Sequence, residues 1–403
     1  RLLFLLAAVG FPLGVGRLVG VVGGEARWAV LLALPLSFSW SVKMGFVQFA
    51  LALTLALFTL AAAVRAARDP RPRRILGLAI WVALVYMAHA LALAVVGIGI
   101  AIAWLEVKRS RLAAAALLGL ALLPTSLLVT LDLTHEVFDA IPETAVSLEH
   151  HPTSFRPLGI AAAHLFTRSY GIADSRTLIW YAPLLLVVLA AAAAVVIPGR
   201  AEAPRRQVSA FLLWAAPVAI LGCSLAPEAT ERIYFMGSRL TAVAMAMVTA
   251  MAAVCVARAG RSIQWLAVVA VGLAMVGLGL DTLERSHRVT EILGASGPDQ
   301  ISGRFLTTRL GPCAPPDYKY WGRYESTRHL WAYALAHAGV TPYLFAWSRY
   351  HPVQYRGDVY RDRLRAPLEN INGDGLLRGS CADANRERLV GVTSWGGFDG
   401  ALI

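Results

Sequence analysis

RAARDPRPRR-ILGLAIWVALVYMAHALALAVVGIGIAIAWLEV-KRSR (Arg65–Arg111) holds a continuous apolar run between two arginine clusters. As a single helix, Ile75–Val107 would be about 50 Å long, against roughly 30 Å of bilayer hydrocarbon. Lys and Arg collect in the cytoplasmic loops of membrane proteins, so basic clusters on both flanks put both ends of the run on the same face. Length and charge together predict a helical hairpin or broken helix with its tip near His89. The alternative is one long tilted span.

Working outward, the same rhythm recurs. Other spanning segments are expected at Leu2–Val22, Phe46–Val64, Leu112–Val129, Ile179–Ile197, Val208–Leu225, Leu240–Ala257 and Ile263–Leu280, with Trp28–Trp40 as a short tilted or re-entrant piece. Short connections are arginine-rich: Arg65–Arg74, Lys108–Arg111, Gly199–Arg206 and Arg258–Arg261 together carry 13 basic residues. The connection Asp132–Leu178 instead holds six acids against three arginines. The chain has 403 residues, is 57% hydrophobic and only 15% charged, and its net charge is +12. Because that charge lies in loops between apolar runs rather than on a basic face of a soluble fold, it excludes a nucleic-acid partner and indicates a lipid bilayer.

The fold class expected is an all-α polytopic transmembrane bundle of about 8–10 membrane helices, with a small C-terminal extracytoplasmic α/β domain. The domains would be 1–283, containing an outer loop 132–178, and 284–403. In that tail, Ser326–Gly339 reads as a capped helix, TPYLFAW and HPVQYR as strands, and INGDG as a turn. Phe155–Gly171 reads as an amphipathic helix lying in the membrane interface. Cys313 and Cys381 are the only cysteines of the tail, and a disulfide between them would suit an oxidising compartment; two unpaired thiols are the alternative. Lysine is nearly absent beside abundant arginine, which reads as the coding bias of a high-GC bacterium, so the location expected is a bacterial inner membrane. The chain opens at Arg1 within an apolar run, with neither an initiator Met nor an A-x-A site, so further helices are expected upstream.

Asp132, His135, Glu136 and Asp139 are spaced so that they share one face if the preceding helix continues. A carboxylate beside an imidazole suits general-base work or metal ligation, whereas a solvated helix end needs polar residues in any case. Glu149, His150 and His151 form a second, less specific set. His89 interrupts an apolar stretch, where an ionisable group has either a functional or a packing role. Glu231, Arg232 and Arg239 flank a short outer loop, where arginine holds a phosphate bidentately or reaches lipid headgroups. Arg17 and Lys43 read as interface anchors. No P-loop, GxGxxG, HExxH or CxxC occurs, which argues against an ATP-driven pump and a zinc protease. No metal ligand set is assigned and no cofactor is required, with a divalent metal left open.

SWSVKMGFVQF (Ser39–Phe49), MAHALA (Met87–Ala92) and YFMGSRL (Tyr234–Leu240), followed by the tail, resemble the GT-C superfamily of polytopic membrane glycosyltransferases. Gln48 stands where the pattern has Asn. The resemblance implies transfer of a sugar from a polyprenyl-phosphate donor, on the extracytoplasmic face, to an envelope glycan, lipid or protein acceptor. It implies that Arg239 is the carrier-phosphate ligand and that His89 faces the same cavity; Arg232 of the outer loop is a further phosphate-binding candidate by its position. It also implies an acidic base in an outer loop preceding Arg1, leaving Asp132, His135 and Glu136 as the catalytic candidates within this chain. Two other readings remain: a transporter or flippase for lipid-linked or anionic solutes, with broken helices at the midplane, and a non-catalytic membrane scaffold.

Overall fold

The computed structural model describes residues 2–43, 46–107, 118–127, 130, 153, 155–172, 175–196, 208–227, 236–296, 305–307 and 400–402. Two compact units divide the chain: Arg1–Thr134 with His151–Leu280, and His135–His150 with Asp281–Ile403. The first unit is a helical bundle. Its helices are α1 (Leu2–Val22), α2 (Ala26–Ala33), α3 (Trp40–Lys43), α4 (Val47–Arg68), α5 (Pro72–Ala88), α6 (Ala90–Ala103), α7 (Leu118–Leu127), α8 (Leu158–Thr167), α9 (Ser175–Val196), α10 (Ala210–Leu225), α11 (Met236–Val256) and α12 (Arg261–Ser296), whose last turns belong to the second unit.

Five stretches among the described residues are long and apolar enough to cross a membrane: Leu2–Val22, Val47–Arg68, Thr177–Ala194, Met236–Val256 and Arg261–Glu284. The protein is a multi-pass membrane protein. Helices form here because every backbone N–H and C=O must be satisfied within the segment once water is gone. Their packing follows from small side chains, since lipid tails are as apolar as Leu and give helices no hydrophobic reason to associate. Gly10 and Gly14 of α1 lie against Thr54 and Leu57 of α4, and Gly16 lies against Val30 of α2. Thr54 also donates its hydroxyl to Ala7 O at 3.2 Å, a hydrogen bond between helices. From Thr241 to Val254, α11 is buried residue after residue, mostly Ala, Met and Val, so it is the central post of the bundle.

Contacts along α4 show how the predicted hairpin is built. Arg74 reaches back to Arg65 O where α5 begins, and the His89 ring meets the Phe49 ring near the start of α4. Beyond the turn, Gly99 lies against Leu60, and Glu106 pairs with Arg68 at the end of α4. Thus α5 runs down α4 and α6 runs back up it, with the tip at His89. Asp69-Pro70-Arg71-Pro72 makes the first turn, because Pro lacks a donor and suits the first helical position. Neither Pro nor Gly marks the tip. His89 takes an extended conformation there, and its Nδ1 accepts the Leu91 N–H at 3.2 Å, so the imidazole is the N-cap of α6.

Trp28–Trp40 runs back along α1. Ala26 lies beside Gly16, and after a 3-10 turn (Leu34–Phe38) the Phe38 ring meets that of Phe4, near the start of α1. The crossings share two ends. At one, the basic-loop end, lie Arg65–Arg74 and Arg258–Arg261, together with a clamp centred on Glu106. Its carboxylate accepts Arg68 Nε at 3.0 Å, Arg68 Nη2 at 2.8 Å and the Phe211 N–H at 2.9 Å, while Arg68 Nη1 donates to Val21 O. A single carboxylate thereby joins α1, α4, the end of the hairpin and the start of α10. It also satisfies one of the orphan donors of α10, whose N-cap Ser209 satisfies another.

In the second unit, α12 continues to Ser296, and Phe305–Thr307 pairs in parallel with Gly400–Leu402. The rest of the expected α/β tail, its helix Ser326–Gly339 included, lies outside the described residues.

Candidate functional site

At the other end of the bundle, the aromatic end, Phe38–Lys43 and Phe46–Phe49 meet the hairpin tip and the start of α11. Alternating cations and rings connect them. Arg168 lies over the Trp40 ring, its Cζ 4.7 Å from the centroid; Trp40 and Phe46 have centroids 5.8 Å apart. Arg239 then lies 4.1 Å over Phe46 and 5.8 Å from Phe49, and the Phe49 ring meets His89 edge-on at 5.1 Å. A guanidinium over an aromatic face is attracted by the ring quadrupole, by about 0.5–2 kcal/mol depending on desolvation. The planar head of Arg239 is therefore held by rings on two sides of one short segment. Arg239 and His89, distant in sequence, both lie against the Phe49 ring.

The outer connection adds a second strap. Trp40 N–H donates to Arg168 O at 2.8 Å, and Lys43 Nζ to Gly171 O at 2.7 Å. Gly171 has φ +61, a left-handed conformation that favours glycine, and a Cβ there would run into Phe38 O and the Lys43 side chain. Lys43 is thus a tie between segments as well as a cation at the interface. Within Phe155–Gly171 a helix is present as α8, with Pro157 at its N-cap. Its Phe155 and Leu158 are exposed, while Ala161 and Leu165 are buried against the bundle.

Just before α8, Arg156 enters the gap between the end of α10 and the start of α11. Its Nη2 donates to Cys223 O at 3.0 Å, and its Nη1 meets His164 Nδ1 at 2.9 Å and Ser238 Oγ at 3.5 Å. Arginine only donates, so His164 Nδ1 is the unprotonated nitrogen and the ring proton sits on Nε2. Burial, then the charges of Arg168 and Arg156, push His164 down to about 4. His89, in the turn between α5 and α6 and outside the spanning segments, is pushed down to about 4 by burial and then by Arg239. Both imidazoles are neutral at pH 7.

Asp132, His135, Glu136 and Arg232 lie outside the described residues, as do Cys313, Cys381 and the Glu149–His151 set. Among the described residues no group of three His, Cys, Asp or Glu side chains comes together to hold a metal ion. The sequence reading missed Arg156, Arg168 and His164 as parts of this end, and the rings Trp40, Phe46 and Phe49 as supports of Arg239. The available signal was the aromatic cluster Trp40, Phe46 and Phe49 where α4 begins, with Trp40 of the type enriched at membrane–water interfaces. Comparison of the chain with protein-family models, curated proteins and solved structures returns no match.

Chemically, the aromatic end offers a preoriented guanidinium beside a neutral imidazole whose Nδ1 is engaged, at the level where spans meet the membrane surface. A guanidinium so placed matches two oxygens of a phosphate or carboxylate bidentately.

Proposed function

We propose that the chain is an integral membrane glycosyltransferase of GT-C type, transferring a sugar from a polyprenyl-phosphate donor whose phosphate is held at the aromatic end by Arg239. The observation that carries this reading is the seat of Arg239 on Phe46 and Phe49 beside neutral His89. An isoprenyl tail would lie among the apolar flanks of the helices, leaving its phosphate at the level of the guanidinium. The basic-loop end faces the cytoplasm by the positive-inside rule, so the aromatic end is extracytoplasmic, in a bacterial inner membrane.

In this reading Arg239 neutralises the charge that grows on the departing phosphate, and does so without reorganisation because its rings already orient it. His89, neutral, contributes its Nε2–H rather than a positive charge. The carboxylate of Asp132 or Glu136, or the imidazole of His135, takes the acceptor proton as the new glycosidic bond forms and the bond from the sugar to the phosphate oxygen breaks. The acceptor is an envelope glycan, lipid or protein. The transport alternative expects a helix break at the bilayer midplane, whereas the break at His89 sits at the start of α4.

Transfer from a radiolabelled polyprenyl-phosphate hexose, measured in membranes carrying Arg239→Ala, Arg239→Lys and His89→Ala, tests the assignment. Losing the phosphate ligand is expected to lower turnover by about 10²-fold or more, with Arg239→Lys intermediate because an ammonium keeps the charge but not the fork. Unchanged transfer in Arg239→Ala would remove Arg239 from the site.

A further inference from the structure

We infer that Arg156 is the positioning residue for Arg239, and that Gly237 is glycine in order to admit it. This rests on the donor-phosphate reading of Arg239. The two arginines do different work. Arg239 projects from the first turn of α11 onto Phe46 and Phe49. Arg156 arrives from the outer connection and bonds to the carbonyl of Cys223 and to Ser238, the immediate neighbour of Arg239. It thereby ties the last turn of α10 to the first turn of α11 across the gap where Arg239 is rooted. Gly237 N–H donates to Pro227 O at 3.3 Å, a second tie at the same joint.

Gly237 makes the fit possible. A Cβ at this position would collide with Nη2 and Cζ of Arg156 and would stand 3.1 Å from Cys223 O. The principal obstacle is the mobile end of a long side chain, so a methyl group there displaces the guanidinium before it displaces backbone. Gly237→Ala is therefore a way to expel Arg156 while leaving both arginines in the chain. His164 completes the arrangement, because its Nδ1 receives Arg156 Nη1 and so aims the fork at the α10–α11 joint. A helix terminus otherwise frays, with its first N–H groups unsatisfied. Here a charged donor from outside the helix restrains that turn. Arg239 keeps its ring seat only while the turn from which it springs stays in register with Phe46.

The test uses the full chain in lipid nanodiscs, with farnesyl phosphate as the probe, and farnesol and inorganic phosphate as competitors. Affinity is read for wild type, Arg156→Ala, Arg156→Lys, Gly237→Ala and Arg239→Ala, and amide hydrogen exchange is followed across 236–241. Positioning predicts a tenfold or greater loss of affinity in Arg156→Ala and in Gly237→Ala, with exchange at least tenfold faster in that turn and unchanged along Ala244–Val254. Arg156→Lys recovers part of the affinity, because one donor still reaches Cys223 O. Competition by inorganic phosphate, but not by farnesol, assigns the loss to the headgroup. Should Arg156→Ala misfold, Gly237→Ala carries the same comparison. Wild-type affinity, or wild-type exchange, in both Arg156→Ala and Gly237→Ala while Arg239→Ala abolishes binding overturns the inference and leaves the donor reading standing. Wild-type affinity in Arg239→Ala sinks the donor reading and the inference with it.

Discussion

Removing the Glu106 carboxylate is expected to loosen the contacts between α4, the end of the hairpin and the start of α10. The side chain is only 9% exposed and its partner Arg68 29%, so the pair is mostly withdrawn from water. Glu106 accepts three hydrogen bonds, two of them from Arg68 and one from the α10 backbone. Breaking a buried pair from one side costs about 3–5 kcal/mol, because the remaining charge is left uncompensated. Arg68 retains its bond to Val21 O and some contact with water, which lowers the figure for Glu106→Ala to about 2–4 kcal/mol, roughly a hundredfold in the unfolding equilibrium at about 1.4 kcal/mol per decade. Arg68→Ala leaves Glu106 its Phe211 N–H, so Arg68→Ala with Glu106→Ala should recover about 1–3 kcal/mol relative to additivity. Reversible unfolding by SDS in mixed micelles, followed by helical circular dichroism, measures all three variants. A loss under about 1 kcal/mol in Glu106→Ala, the behaviour of an exposed pair, or strict additivity of the two substitutions, would refute the clamp.

Four further outcomes are expected. Gly99→Val presses a branched side chain onto buried Leu60 and should cost about 1–3 kcal/mol in the same unfolding assay by overpacking the α4–α6 seam. Gly171→Ala combines an unfavourable left-handed φ, about 1–2 kcal/mol, with a clash at Phe38 O, so it should lower the midpoint of thermal unfolding more than Gly159→Ala, where nothing lies near. The folded-state values of His89 and His164 are depressed to about 4, so their contribution is complete above about pH 6.5 and declines as pH falls towards 4; His164→Gln should flatten part of that decline in unfolding midpoints taken from pH 7 to pH 4. With the native cysteines replaced by alanine, single cysteines at Thr153 and Gly260 should take up an impermeant maleimide from opposite faces of sealed vesicles, and labelling from one face alone would contradict the two-ended bundle.

Much of the bundle was legible because the bilayer imposes a coarse requirement: a run of apolar residues must be long enough to cross. Leu2–Val22 was recovered to the residue, and the hairpin followed from an overlong run bounded by arginine on both sides. Trp28–Trp40 was ambiguous because five of its residues (Leu34–Phe38) are 3-10, with Pro35 in the opening turn, and rise more per residue than an α-helix. At the aromatic end, Arg239 and His89 stood out because ionisable groups are costly near hydrocarbon. Arg156 did not, because an arginine ahead of an interfacial helix looks like any headgroup contact until the α10–α11 gap is built around it. Spacing along a chain is silent about which ring will lie under which cation. Asp132, His135 and Glu136 keep the standing the sequence alone lends them.

The hairpin tip also bears on biogenesis. If the hairpin enters a bilayer from its basic-loop side, as the proposed topology requires, whatever lies at the turn must be carried through the hydrocarbon. Here that cargo is a single non-helical residue, whose backbone N–H is already bonded to Val85 O and whose ring already accepts from Leu91. An imidazole in its neutral form presents the membrane with one compact polar group rather than an ion with its hydration shell. An Arg or Asp at position 89 would raise the insertion barrier even if the finished protein tolerated it. Such a transit would favour a polar, neutral, self-capping residue at the point of the hairpin, as His89 is at the N-cap of α6.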